Sequence, residues 1–170
     1  MTPPPPPLTL AAARAEDLAA VRRLLRDYQA SLGISLDFQD FEAELAGLPG
    51  EYVAPRGALL VARLGQAVVG TIALRPLQWP HIGEVKRLYV APEARGHGAG
   101  LKLATRLLAI AGEMGYERLR LDTLPSMRTA LALYARLGFR EIAPYRFNPV
   151  AGACYLECEL LARTPPLSPL

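Results

Sequence analysis

Apolar positions along this chain follow two rhythms. Leu101, Ala104, Leu107, Leu108, Ala111 and Met114 recur every three or four residues, which predicts one face of an amphipathic helix. Leu119 and Leu121 alternate with Arg118, Arg120 and Asp122, which predicts a strand. The same two tests place strands at 8–13, 58–63, 68–74 and 83–90, and another at Cys154, Leu156, Cys158 and Leu160. Helices are expected where Leu18, Val21, Leu24, Leu25 and Tyr28 share a face, at about 38–46, and at 129–137. The end signals agree. Glu16 and Asp17 put acid at the first helix start, and Gly47 with Pro49 stops the second. Ser126 offers an N-cap, and Gly138 a left-handed C-cap, to the last.

One strand breaks its own rhythm. With a regular pleat, Glu84, Lys86, Leu88 and Val90 lie on one face and Val85, Arg87 and Tyr89 on the other. Apolar character therefore changes sides across the adjacent pair Lys86-Arg87, and a one-residue bulge there would restore a consistent inner face. Leu64-Gly65-Gln66 reads as a hairpin turn between the strands at 58–63 and 68–74.

Composition narrows the classes. The 170 residues suit one domain, and no apolar run reaches a membrane span, so no membrane association is expected. Five consecutive prolines at 3–7 cannot donate backbone hydrogen bonds, so 1–7 is read as a disordered tail. The proline-rich 163–170 is read as flexible, leaving 8–162 as the folded unit. Cys154 and Cys158 are too far apart along one strand to bridge, and no ligand-rich neighbour suggests zinc or another metal. Core thiols and a reducing, cytoplasmic location are the expectation. A net charge of +3 is too slight, and aromatics too few, for nucleic-acid binding.

The charge that exists is concentrated. Between Lys86 and Arg106 stand five Lys or Arg and one Glu, so the remainder of the chain is about neutral. Within that stretch Gly96, Gly98 and Gly100 precede the long helix. Glycines there free the backbone to turn N–H groups toward one point, at the positive end of a helix dipole, which makes an anion cradle suited to phosphate. The spacing is not a P-loop, which needs GxxxxGK[ST], nor the dinucleotide fingerprint GxGxxG.

The form that is present, Arg95-Gly96-His97-Gly98-Ala99-Gly100, is preceded by LYVAPEA and followed some thirty residues on by ALALYARLGF. Together these resemble the pyrophosphate-binding motif and tyrosine segment of the GNAT superfamily of N-acetyltransferases, over nearly all the chain between its proline-rich ends. The resemblance implies a single α/β (α+β) domain, with a mixed, mostly antiparallel sheet of about seven strands flanked by about four helices. Residues 139–142 and the Cys154 strand would then form its final hairpin. It also implies acetyl-CoA as co-substrate, with pyrophosphate at Arg95, Gly96, His97, Gly98, Ala99 and Gly100, His97 contributing its backbone N–H. Pantetheine would lie along backbone groups near Leu88 and Val90, in a gap where the bulged strand splays from its parallel neighbour.

Tyr134, the tyrosine of the LYARLGF segment, would protonate the departing thiolate; the plainer reading is ring packing. Family members often carry asparagine seven residues earlier. Here that position is Met127, so the contact is missing or falls to Ser126. An amine acceptor is almost wholly protonated at neutral pH and needs a proton acceptor. Glu84 is the candidate by family position, against a surface carboxylate paired with Lys86 or Arg87. Tyr145, Arg146 and Asn148 are candidate acceptor contacts. The expected partner is a primary amine of a small molecule or peptide, and a homodimer is compatible with the resemblance. A CoA-binding sensor domain without turnover, and a transferase for larger acyl groups, are the alternatives.

Overall fold

The computed structural model describes residues 1–160, so the 163–170 tail expected from sequence lies outside the described residues. Residues 1–7 are exposed and in neither helix nor strand, with Pro6 beside Gly65 of the first hairpin turn. The order is β1 (Leu8–Ala12), α1 (Leu18–Leu32), α2 (Phe41–Gly47), β2 (Ala58–Leu64), β3 (Ala67–Pro76), β4 (Ile82–Val90), α3 (Ala99–Glu113), β5 (Arg118–Thr123), α4 (Arg128–Arg136), β6 (Arg140–Glu141) and β7 (Cys154–Glu159).

The described strands form one seven-stranded sheet in the order β1-β2-β3-β4-β5-β7-β6, with β4 and β5 parallel and the other pairs antiparallel. Against one face pack Leu103, Leu107 and Leu108 of α3, meeting Ile72, Leu74, Val85, Leu119 and Leu121. Against the other, Val21 and Leu25 of α1 and Phe41 and Leu45 of α2 cover Leu59, Val61 and Ala73. Both layers follow from the periods read in the sequence, strand alternation supplying one apolar row to each helix pair. The helix expected at 38–46 is in fact two pieces. Asp40 takes a left-handed conformation (φ 53°) that separates a 3-10 turn at Asp37–Gln39 from α2. Leu103, outside the stripe expected for α3, is fully buried against Gly70.

The irregularity in β4 is a bulge. Thr71 pairs with Tyr89 and Ala73 with Lys86, so two residues of β4, Arg87 and Leu88, oppose the single residue Ile72 of β3. Arg87 is the residue that turns, at φ 60°. Its guanidinium is held by Glu44 of α2 through bonds of 2.7 and 3.1 Å, and Tyr52 adds an O–H donor to Glu44 at 2.8 Å. Burial works against the Glu44 charge, but Arg87 and Tyr52 outweigh it and lower its pKa. Glu44→Ala would strand a buried guanidinium at a backbone position that is already strained. A loss of about 3 kcal/mol in urea unfolding is expected, and a loss below ~0.5 kcal/mol would show that the pair does not hold the bulge.

The bulge has a consequence for β5. The β4–β5 ladder runs from Ile82↔Arg118 to Glu84↔Arg120 and stops there, although β4 continues to Val90 and β5 to Thr123. The two strands separate beyond Glu84. That opening is the central feature of the molecule.

Candidate active site

Two helices meet the opening from one face. At the start of α3, Gly96 and Gly98 have φ 87° and 73°, conformations that favour glycine, and a Cβ on either would meet no heavy atom within 4 Å. The first helical bond is Lys102 N–H to Gly98 C=O at 3.0 Å, so the amides of Ala99, Gly100 and Leu101 precede the ladder and are available as donors. An open concave run of backbone N–H at the positive end of a 15-residue helix fits a diphosphate. Arg95 and His97 are exposed beside it. Arg95 Nε reaches Val90 C=O at 3.4 Å, so one backbone acceptor expected along the pantetheine track has a side-chain donor nearby.

Gly100 ties this loop to α4. A Cβ there would lie 3.4 Å from Leu133 Cδ1, so the side chain next in sequence to Tyr134 packs on the cradle. Tyr134 itself is the buried side chain within α4, and Leu137 just after it is buried as well. Its position is set by the helix end. Gly138 N–H donates to Ala135 C=O at 3.1 Å and Phe139 N–H to Tyr134 C=O at 3.0 Å, with Gly138 at φ 94°. This paired closure brings the Phe139 ring 5.3 Å from the Tyr134 ring. The LYARLGF segment is thus a device that fixes one phenol. Burial, and secondarily Tyr28, push the Tyr134 pKa well above that of an ordinary phenol, so the hydroxyl stays protonated.

Ser126 does not cap α4. Met127 occupies the N-cap position, and Ser126 is exposed in the preceding turn, its carbonyl accepting Arg128 N–H at 3.0 Å. Met127 lines the opening instead.

On the other face the opening becomes a pocket walled by Tyr28 of α1, Leu36, Phe38 and Gln39 of the α1–α2 connection, Lys86 and Leu88 of β4, and Asp122 and Thr123 of β5. Tyr134 and Asn148 also reach it. The pocket therefore runs through the sheet where β4 and β5 part.

Glu84 sits at the last rung before the gap and is fully buried, not a surface carboxylate. Arg75 Nε donates to Oε1 at 3.0 Å, Tyr145 O–H to Oε2 at 2.7 Å, and Arg146 closes on the same Oε2. Burial favours the neutral acid, but Lys86, Arg146, Arg75 and the Tyr145 hydroxyl together outweigh it and lower the pKa. A carboxylate so neutralised has little affinity for a further proton, which weakens it as a general base. Its partners Tyr145 and Arg146, with Asn148 bonded to Asp122 at 3.0 Å, draw the β6–β7 connection across the pocket. Of the three candidate acceptor contacts, Asn148 lines the pocket, whereas Tyr145 and Arg146 are engaged with Glu84 and lie outside its lining.

Sequence reasoning passed over Tyr28, Gln39 and Asp122, and named Lys86 only as a surface partner. The signal for Asp122 was present. A strand that alternates leucine with charge, when it lies between two others, sets that charge beside neighbouring strands on its second face; Arg120 is bonded to Glu157 at 2.7 Å and Asp122 is half-buried.

A model of the acetyltransferase (GNAT) family matches residues 18–139, a span that includes the cradle, both splayed strands and the Tyr134 helix. The chain belongs to the GNAT acetyltransferase family. A Schizosaccharomyces pombe protein described as an uncharacterized N-acetyltransferase is 35% identical over 146 residues, covering 85% of this chain and 90% of the relative. A GNAT-family acetyltransferase from Staphylococcus aureus has the same fold (TM-score 0.77, 21% identity, 91% of this chain and 99% of that one). So does a putative acetyltransferase from Salmonella typhimurium, solved with its cofactor acetyl-CoA (TM-score 0.65, 20% identity, 90% and 94%). This GNAT protein is accordingly an acyltransferase of α/β fold, with four α-helices among the described residues and the mostly antiparallel sheet described above. No helix among the described residues is long and apolar enough to cross a membrane.

Proposed function

We propose that this GNAT protein is an acetyl-CoA-dependent N-acetyltransferase that moves acetyl directly to the primary amine of a small molecule or peptide. The observation that carries the reading is the passage through the sheet, with the Gly96–Gly98 cradle and Tyr134 at one side and a polar pocket at the other. The Salmonella relative's bound acetyl-CoA supports the choice of donor.

When bound, acetyl-CoA would supply an acetyl group already activated as a thioester. Backbone N–H groups from Gly96 to Gly100 would hold its diphosphate, with Arg95 adding charge at the rim. Ser126 is positioned at the turn before α4 and the backbone of Leu88 and Val90 at the opened edge of β4, which suits them to the cofactor's middle and arm. Tyr134 holds a proton at its hydroxyl for the sulfur. Glu84 fixes Arg75, Arg146 and Tyr145, and so the pocket roof. Neither cysteine is needed as a nucleophile: Cys158 is buried, and the Cys154 thiol is directed to Gly152 C=O at 3.5 Å.

The test is calorimetry with coenzyme A followed by thiol release from acetyl-CoA across a panel of amino acids, polyamines, arylalkylamines and peptides. Micromolar binding and amine-dependent release at least tenfold above the blank are expected. Binding with no release from any amine would favour the sensor reading; faster release from longer acyl thioesters would move the donor assignment.

A further inference from the structure

One cation on the pocket wall is more weakly paired than the guanidiniums around it. Arg87 is taken by Glu44. Arg75 and Arg146 close on the two oxygens of Glu84, and Arg75 also meets Glu51 at 3.2 Å. Lys86 Nζ stands 3.8 Å from Glu84 Oε1, an oxygen that already accepts from Arg75. Its hydrogen bond goes to a neutral group, Gln39 Oε1 at 3.4 Å. The Lys86 side chain is only 5% exposed, yet it lines the same pocket as Tyr134. An ammonium there is poorly solvated, and the carboxylate nearest to it, Glu84, is shared with two guanidiniums.

We infer that Lys86 is the proton acceptor for the incoming amine: its Nζ, in the unprotonated form, removes a proton from the acceptor's ammonium in the cleft shared with Tyr134. This rests on the N-acetyltransferase reading and takes over the role expected for Glu84. The electrostatics agree with the geometry. Burial first, then Arg87, with Arg75 and Arg146 behind it, bring the Lys86 pKa down to about 7, and Glu84 offsets this only in part. Asp122, Tyr28 and Tyr134 face it across the pocket, and Glu44 of α2, itself paired with Arg87, also lies within electrostatic reach. A base poised near the operating pH is the most effective one, whereas the lowered pKa of Glu84 takes it away from that range.

The protons balance. Lys86 Nζ takes one proton from the ammonium and becomes an ammonium itself. As the N–C bond forms and the C–S bond breaks, the Tyr134 hydroxyl gives its proton to sulfur and is reprotonated by the second proton leaving nitrogen. Lys86 then releases its proton to solvent, the one proton that acetylation of an ammonium must liberate.

Lys86 and Lys102 are the only two lysines in the chain, so a spectrum of protein labelled with ε-¹³C lysine contains two side-chain signals. Lys102, exposed on α3, serves as the reference. The Lys86 signal is expected to titrate with a midpoint near 7, and a midpoint above 9 would overturn the assignment. With the fastest amine of the panel, kcat/KM should rise with pH through about 7. Lys86→Met and Lys86→Arg should each lose that limb and 10²–10⁴-fold in rate, with coenzyme A affinity unchanged. Arginine keeps the charge but does not deprotonate, so recovery of the rate by Lys86→Arg would show a purely electrostatic role and contradict the proposal. Wild-type protein that binds no coenzyme A would instead overturn the N-acetyltransferase reading, a failure the lysine titration does not share.

Discussion

Replacing Tyr134 by phenylalanine is expected to lower turnover by roughly 10²–10⁴ while leaving coenzyme A affinity within about twofold. The ring is retained, and with it the 5.3 Å contact to Phe139 and the closure at Gly138, so the fold should be unaffected. Only the hydroxyl is lost. A thiol has a pKa near 8.5 and a phenol one near 10, so transfer from phenol to thiolate is uphill by about 2 kcal/mol. It occurs only as charge accumulates on sulfur, and is drawn forward by the proton leaving nitrogen, which restores the phenol. Burial raises the Tyr134 pKa further, which keeps the donor loaded at every physiological pH. The loss should fall on kcat, because the interaction strengthens only as the C–S bond breaks. Stopped-flow thiol release with the best amine of the panel measures it. Unaltered kcat would return Tyr134 to a packing role.

The second large effect concerns the cradle. Gly98→Glu should reduce coenzyme A affinity by at least 100-fold. A Cβ at Gly98 meets nothing within 4 Å, so the steric cost is confined to the left-handed backbone, about 1 kcal/mol. What changes is the sign of the charge at the mouth of the amides, where a carboxylate competes with the diphosphate for the same donors. Gly98→Asn is the control, since asparagine tolerates φ 73° and adds no charge; its affinity should remain within about tenfold of wild type. Equal losses in the two variants would mean that backbone distortion, not anion exclusion, is being measured.

Much of this was legible in the sequence because the determinants are local. The bulge could be read at Lys86-Arg87 because two charges interrupt an alternating strand, and a single φ of 60° at Arg87 resolves the conflict. Gly138 could be read as a cap because a left-handed residue is needed after α4 whatever it packs against. What could not be read depends on distant pairings. Glu84 looks like any strand-edge acid until Arg75 of β3 and Tyr145 and Arg146 of the β6–β7 connection converge on it. Lys86 and Asp122 become pocket walls only when β4 and β5 part, and their separation in sequence carries no trace of that. Ser126 was misplaced for the opposite reason. Its residue type suits an N-cap, but the chain turns one residue later, at Met127.

The central claim is that the backbone amides between Gly96 and Leu101 hold the diphosphate of coenzyme A. An amide ¹H–¹⁵N spectrum recorded during titration with coenzyme A tests it most directly. The account predicts that the signals of Gly96, His97, Gly98, Ala99 and Gly100 move downfield together, with the midpoint found by calorimetry. Saturable binding that shifts other amides while these five stay in place would contradict it.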